Sequence, residues 1–246
     1  MPLLPPLPAV PRSARPFVRL KLAASLDGTT ALQNGQSQWI TSPEARADGH
    51  RWRAAADGIL TGVGTVLADD PRLDVRLPPG DADTPAQPPP LIVLDSGLRT
   101  PADAALFGVA GRKVHLLYRD DAPPGRETEL RAAGAAVHRL PAAPDEPRRT
   151  NLQAALAWIA QAGIATRLHA EAGATLAGAL LQARLVDELL LYLAPTLLGP
   201  GRGLATFSPL ATLVDGVALE WQSVDRVGPD LRIVARVRAR DERSAP

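Results

Sequence analysis

Residues 166–194 read TRLHAEAGATLAGALLQARLVDELLLYLA. Thr166 to Ala170 is a short apolar strand, Gly173 to Arg184 carries helical spacing, and Glu188 to Ala194 is a continuous apolar run. A strand, a crossover helix and a second buried strand imply parallel strands of one sheet covered by helix, because a hairpin has no room for that connection. The pattern continues outward. Phe17 to Ala23 alternates apolar and basic residues, a strand with one wet face. Asp57 to Gly62 and Leu91 to Asp95 are short apolar strands, and Lys113 to Tyr118 is another. Asn151 caps a helix with Leu152, Ala155, Leu156 and Ile159 on one face, closed by Gly163. Thr41-Ser42-Pro43-Glu44 opens a helix that runs to about Ala56, with Thr41 and Glu44 spaced as a capping box. Leu219 to Arg226 and Leu231 to Arg238 flank Gly228-Pro229-Asp230 and predict a closing hairpin. The fold class is therefore α/β, a mostly parallel sheet between helices with an antiparallel C-terminal edge. Ligands are expected at the C-terminal ends of the strands.

Composition bounds the chemistry. The chain has 246 residues, enough for a sizeable core, with 46% hydrophobic and 22% charged residues. It has no cysteine, which excludes disulfides, thiolate zinc sites and a cysteine nucleophile. The four histidines show no ligand spacing, so no metal site is expected. A net charge of +1 offers no bulk field for nucleic acid or an anionic membrane. Residues 1–15 lack the basic start of a signal peptide, are broken by proline, and read as an extended arm. Residues 16–240 read as one domain and 241–246 as a tail. Pro78 to Pro90 and Pro141 to Thr150 are proline-rich loops.

Four segments are candidates for chemistry, each with a plain structural alternative. Lys21 lies on the polar side of its strand, either a ligand-facing ammonium or a solvated lysine. Arg46, His50 and Arg53 fall within a ~60° arc of one helix, beside the apolar stripe Gly49, Trp52 and Ala56. That basic stripe suits a phosphate or is a solvated face. Thr61-Gly62-Val63-Gly64-Thr65 runs from strand into helix and lets a backbone approach a ligand, without being a GxGxxG fingerprint. Finally, Glu171 and Gly173 end a strand and open a small-residue helix, where Gly178 costs ~1 kcal/mol relative to alanine. A dinucleotide phosphate or close packing explains it equally.

PFVRLKLAASLDGTTA, SQWITSPEAR, ILTGVGTVLADDPRLDVR, VLDS, EAGATLAGALL and LVDELLLYLAPTLLG occur in this order. Together, over residues 16–238, they resemble the riboflavin-biosynthesis pyrimidine reductases, usually the C-terminal half of a deaminase–reductase. The resemblance implies a dihydrofolate-reductase-like three-layer sandwich, a cytoplasmic homodimer and NADPH as cofactor. It implies reduction of the ribosyl group of 5-amino-6-(5-phosphoribosylamino)uracil to a ribityl chain. The zinc deaminase half carries H-x-E and P-C-x-x-C signatures, and neither occurs here. A stand-alone reductase or an isolated half is expected, with a separate deaminase as a candidate partner and the non-deaminated pyrimidine as an alternative substrate. Other readings are a related NADPH enzyme with a different substrate, and a silent nucleotide-binding partner of a deaminase.

By resemblance, Ala23, Trp39, Thr65, Asp69 and Ser96 match cofactor contacts. Gly173, Ala174, Thr175, Leu176, Ala177, Gly178 and Ala179 would cradle the pyrophosphate. Ser37, Arg53, Leu73 and Arg76 match substrate contacts, with Arg53 and Arg76 on the 5′-phosphate. Lys21 and Glu171 match charged positions at the pyrimidine and ribose, and with Asp69 are the candidate catalytic residues. Ala172 departs from a second glycine in many members. Arg99, close to Ser96, is a further candidate for a 2′-phosphate.

Overall fold

The computed structural model describes residues 14–119, 125–144 and 148–238. Most of the expected N-terminal arm and all of the 241–246 tail lie outside them. The elements in chain order are β1 (Phe17–Ser25), β2 (Thr29–Leu32), α1 (Pro43–Ala54), β3 (Gly58–Gly62), α2 (Val63–Asp69) and β4 (Leu91–Leu94). There follow β5 (Val114–Arg119), α3 (Arg126–Ala132), β6 (Ala135–Leu140), α4 (Leu152–Gln161), β7 (Arg167–Glu171) and α5 (Ala174–Gln182). The chain closes with β8 (Glu188–Ala194), β9 (Gly201–Gly203), β10 (Leu219–Val227) and β11 (Asp230–Val237). They group into two compact units, the first holding residues 14–17 and 49–170, the second residues 18–48 and 171–238.

In the first unit five parallel strands run in the order β7-β3-β4-β5-β6. All four residues of β4 are buried, as a parallel strand covered on both faces requires. The core joins Ile59, Val93, Leu116 and Val137 of the strands to Val63 and Val66 of α2, Leu130 of α3 and Leu106. At ~25 cal/mol per Å² of apolar surface, each such side chain contributes roughly 1.5–3 kcal/mol before chain entropy is charged. Asn151 caps α4 as expected, its side chain accepting from the Ala154 N–H at 3.0 Å.

The second unit has the order β10-β11-β8-β1, with β1 parallel to β8 and β11 antiparallel to both of its neighbours. The expected hairpin is β10–β11, with a bulge between Trp221 and Ser223. A separate antiparallel pair, β2–β9, was not foreseen.

The start of α1 differs from the expected capping box. Ser42, not Thr41, caps the helix: its hydroxyl accepts from the Ala45 N–H at 3.2 Å. The Ser42 N–H donates to the Asp230 carboxylate at 2.7 Å, so a residue from β11 takes the part assigned to Glu44. Helix α1 ends at Ala54, two residues earlier than expected. A buried ion network ties it down. Arg232 Nη1 donates to both carboxylate oxygens of Asp48 at 3.1 Å, and its Nη2 donates to Asp225 at 2.9 Å. The Tyr192 hydroxyl donates to Asp48 at 2.6 Å.

Candidate functional site

In the second unit two of the three expected catalytic residues, Lys21 and Glu171, act on one phenol, Tyr192. Lys21 and Ala23 lie at alternate, half-buried positions of β1 between the buried Leu20, Leu22 and Ala24. The Lys21 ammonium stands 5.8 Å from the centroid of the Tyr192 ring. Burial pushes the Tyr192 hydroxyl well above its ordinary pKa, helped by the charges of Asp48 and Glu171. The phenol therefore keeps its proton at neutral pH and acts as a donor. Tyr192 sits inside the apolar run ELLLYLA, where nothing local marks it as a site residue.

Glu171 ends β7, and Gly173 caps α5 without any side-chain acceptor. The first-turn N–H groups of a helix have no intrahelical acceptor, and a positive dipole end adds to them. Gly173 and Thr175 are exposed there, and Ala174 and Ala177 are buried. A dinucleotide pyrophosphate fits this helix start: short side chains, exposed backbone and no competing cap. Gly178 has a different cause. A Cβ at that position would fall 1.9 Å from the Thr206 carbonyl oxygen. Close packing against the 204–212 segment explains this glycine, and the Thr206 N–H donates to the Ala174 carbonyl at 2.9 Å.

Trp39 is 68% exposed, with the Arg46 guanidinium 4.5 Å from its ring centroid. Arg46 also donates to the Thr41 carbonyl at 2.6 Å. Ser37 is half-buried in the same segment. Asp27 is a latch: its carboxylate accepts from the Ser25 hydroxyl and from the N–H groups of Leu198 and Gly199. These bonds, Ser25 first, hold its pKa below the usual carboxylate range.

In the first unit the expected phosphate ligands are brought together with residues the sequence did not connect to them. Arg53 on α1 donates to the Asp74 carbonyl. Arg112 donates to the Leu73 carbonyl at 3.0 Å, and Leu73 itself is buried with φ +50. Arg72 and Arg76 lie 3.2 and 3.7 Å from the Asp74 carboxylate. Burial raises the Asp74 pKa, but Arg72 and Arg76 outweigh it and leave it lowered. Burial lowers Arg112 to about 10, with Asp74 opposing and Arg53 and Arg72 reinforcing the shift. It remains a cation at neutral pH. His50 accepts from Arg76 at the main chain and faces Arg53, both at 3.2 Å. Four guanidinium groups thus gather about the 72–76 segment and its Asp74.

Helix α2 begins at Val63, so Gly64 and Thr65 belong to its first turn rather than to a preceding loop. Gly64 is exposed, and a Cβ there would meet nothing within 4 Å. Asp69 stands exposed at the end of α2. The Ser96 hydroxyl accepts from the Thr150 N–H at 2.9 Å, and the neighbouring Arg99 is exposed. Among the described residues no group of three or more His, Cys, Asp or Glu side chains is placed to hold a metal ion. No described helix is long and apolar enough to cross a membrane.

Residues 16–233 match the model of the RibD C-terminal domain. The chain belongs to that family. RibD of Escherichia coli (strain K12) is 39% identical over 228 residues, which cover 89% of this chain and 59% of the relative. The chain thus spans about three-fifths of the length of the RibD relatives it matches. A shorter relative, the 5-amino-6-(5-phosphoribosylamino)uracil reductase of Buchnera aphidicola, is 28% identical, with 82% of this chain covering 97% of it. Among solved structures, Acinetobacter baumannii RibD (form 1) superposes with a TM-score of 0.78 at 32% identity, over 92% of this chain and 59% of that one. The RibD C-terminal fold is the dihydrofolate-reductase-like class the resemblance implied, with mostly parallel strands, an antiparallel C-terminal hairpin and flanking helices.

Proposed function

We propose that this chain catalyses the NADPH-dependent reduction of the ribosyl group of 5-amino-6-(5-phosphoribosylamino)uracil to the ribitylamino product of riboflavin biosynthesis. Family membership and the name of the Buchnera relative support the reaction class. The single observation that carries the substrate class is the gathering of Arg53, Arg72, Arg76 and Arg112 about Asp74. Guanidinium forks match phosphate oxygens bidentately, and a dianion would settle their charge.

NADPH would supply a hydride to C1′ of the sugar. The start of α5 would hold its pyrophosphate on backbone N–H groups, and the open backbone at Gly64, with Thr65 and Asp69, would lie along the cofactor. Ala23, Trp39 and Ser96 complete that set, with Arg99 near Ser96 for a 2′-phosphate. Arg53 and Arg76 would anchor the 5′-phosphate, with Ser37 and the Leu73 backbone beside the substrate. The C1′–O4′ bond breaks as the lone pair of the exocyclic nitrogen, which keeps its own proton, forms an iminium with C1′, so that the hydride gives the neutral amine directly. The Lys21 Nζ gives the departing ring oxygen its proton, and water restores that proton to the lysine. Glu171 hydrogen-bonds the ribose hydroxyls and keeps the open chain aligned. Tyr192, a fixed neutral phenol, supports the Lys21 ammonium through its ring face. Most of the rate then comes from orientation and charge stabilisation.

Residues 16–240 act in this reading as one cytoplasmic reductase domain, working as a homodimer with a deaminase supplied separately or by a longer chain. The exposed Trp221 and Val224 on the edge strand β10 support self-association. The test is an assay of NADPH and NADH oxidation with the deaminated and the non-deaminated phosphoribosylaminopyrimidine. Turnover of the deaminated substrate with NADPH is the expected result. Turnover confined to the non-deaminated compound would move the chain one step earlier, and binding of NADPH without turnover of either would leave a silent partner protein.

A further inference from the structure

The turn between β1 and β2 grips a segment that lies 170 residues away in sequence. Asp27 is exposed, yet both of its carboxylate oxygens are engaged. Oδ1 accepts from the Ser25 hydroxyl and Oδ2 from the Gly199 N–H at 2.7 Å, with the Leu198 N–H 3.2 Å from each oxygen. The Gly199 carbonyl accepts from the Thr29 hydroxyl at 2.8 Å. The peptide groups on either side of Gly199 are thus held by side chains of one turn, and its φ of +71 suits glycine. Close packing carries the grip forward. At the β2–β9 pair a Cβ on Gly201 would lie 2.3 Å from the Ala31 carbonyl oxygen, so the two backbones touch. Only Leu204 and Ala205 separate β9 from Thr206. The Thr206 N–H donates to the carbonyl of Ala174, the first residue of α5, and its own carbonyl lies against Gly178 in the next turn.

We infer that Asp27 is a positioning residue for the dinucleotide, acting through residues 198–206 as a strap on the first turns of α5. This rests on the reading of the α5 start as the pyrophosphate site. The strap is fixed at one end by Asp27 and Thr29 and at the other by Ala174 and Gly178. Helix α5 starts at Gly173 without a side-chain cap, so the strap supplies the restraint that a cap would. Anion binding by backbone N–H groups depends on their direction, and a helix start held in place does not lose order when the ligand arrives. Asp27 acts on affinity alone in this account. It touches neither the nicotinamide nor the pyrimidine, so turnover at saturating NADPH does not depend on it.

The test compares Asp27→Ala, Asp27→Asn and Thr175→Glu with the unmodified chain. NADPH binding is measured by calorimetry, and kcat and both KM values are measured with the phosphorylated substrate. Thr175 is exposed in the first turn of α5, where a carboxylate suits the helix but repels a pyrophosphate. Asp27→Ala is expected to weaken NADPH about tenfold, with kcat and the KM for the pyrimidine within about twofold. Asp27→Asn can set its amide oxygen on the strap N–H groups and its NH2 on the Ser25 hydroxyl, and is expected to recover about half of that loss on a logarithmic scale. Thr175→Glu is expected to weaken NADPH about a hundredfold. A folded Asp27→Ala protein that binds NADPH as tightly as the parent, while Thr175→Glu does not, overturns the inference alone. Unchanged NADPH affinity in Thr175→Glu overturns the pyrophosphate reading and this inference with it. Equal losses for NADPH and the pyrimidine, or an Asn variant no better than Ala, make Asp27 a general fold contact and also overturn it. Should Asp27→Ala not fold, Asp27→Asn carries the comparison, with about threefold weaker NADPH expected and parental affinity overturning the inference.

Discussion

Alanine at Gly178 sets two sizeable effects against each other. Replacing glycine by alanine inside an exposed helix ordinarily gains ~1 kcal/mol. Here the new Cβ would lie 1.9 Å from the Thr206 carbonyl oxygen, 2.6 Å from its carbon and 2.8 Å from its nitrogen. Real Cβ atoms essentially never approach below 3.0 Å, so more than an ångström of movement is required. The obstacle is backbone, and no rotamer change relieves it. Overpacking of this kind costs ~1–3 kcal/mol, and separating Thr206 from the Ala174 carbonyl costs ~1 kcal/mol more. The clash wins: Gly178→Ala should be ~1–3 kcal/mol less stable in urea unfolding, with the 204–212 segment opened to limited proteolysis. Gly64→Ala is the matched control, since nothing lies within 4 Å of its Cβ. It should be neutral or up to ~1 kcal/mol more stable while its KM for NADPH rises. A Gly178→Ala protein as stable as the parent and equally resistant to protease would refute the packing argument. A Gly64→Ala protein with unchanged cofactor KM would remove α2 from the cofactor path.

Tyr192→Phe removes a donor from the buried Asp48 carboxylate and should cost ~1–3 kcal/mol in equilibrium unfolding, with a loss below ~0.5 kcal/mol contradicting the network. Lys21→Met should lower kcat by ~10²-fold or more with little change in phosphate affinity, and a normal kcat would take the proton transfer away from Nζ. His138, stacked near His115 and Trp158, has its pKa lowered to about 4, chiefly by burial and then by His115. The folded state holds this proton less tightly than the unfolded state, so its contribution is complete above pH ~6.5 and fades as pH falls toward 4. After solvent screening this amounts to ~1–2 kcal/mol, and His138→Leu should flatten that part of the pH–stability curve. A curve of the same slope in the variant would assign the acid lability elsewhere.

The strands β1, β3, β4, β5, β7 and β8 were legible because buried parallel strands read as short apolar runs between turn residues. Helix α3 and strand β6 were not, since RETELRAAGAAVHRL has neither a clear period nor strong punctuation. The pair β2–β9 joins strands of four and three residues far apart in sequence, which no local pattern reveals. The start of α1 lies one residue later than its pattern predicts, because the adjacent Thr41 and Ser42 are equivalent caps by type. The choice was made by the distant Asp230. Of the candidate site, Arg53 and His50 share a legible basic stripe, and motif resemblance supplied Arg76. Their convergence with Asp74 and Arg112 depends on tertiary contacts. Tyr192 was hidden by its apolar neighbours, and Gly178 needed the position of Thr206 to decide between packing and ligand.

In the proposed reaction this chain moves a hydride from NADPH to the sugar carbon of a phosphoribosylaminopyrimidine. The most direct measurement uses NADPH deuterated on either face of C4 and mass spectrometry of the product. One labelled face should give a ribityl product heavier by one deuteron at C1′ and the other an unlabelled product. Folded protein that binds NADPH yet yields no ribityl product, or one without deuterium from either face, would contradict the account.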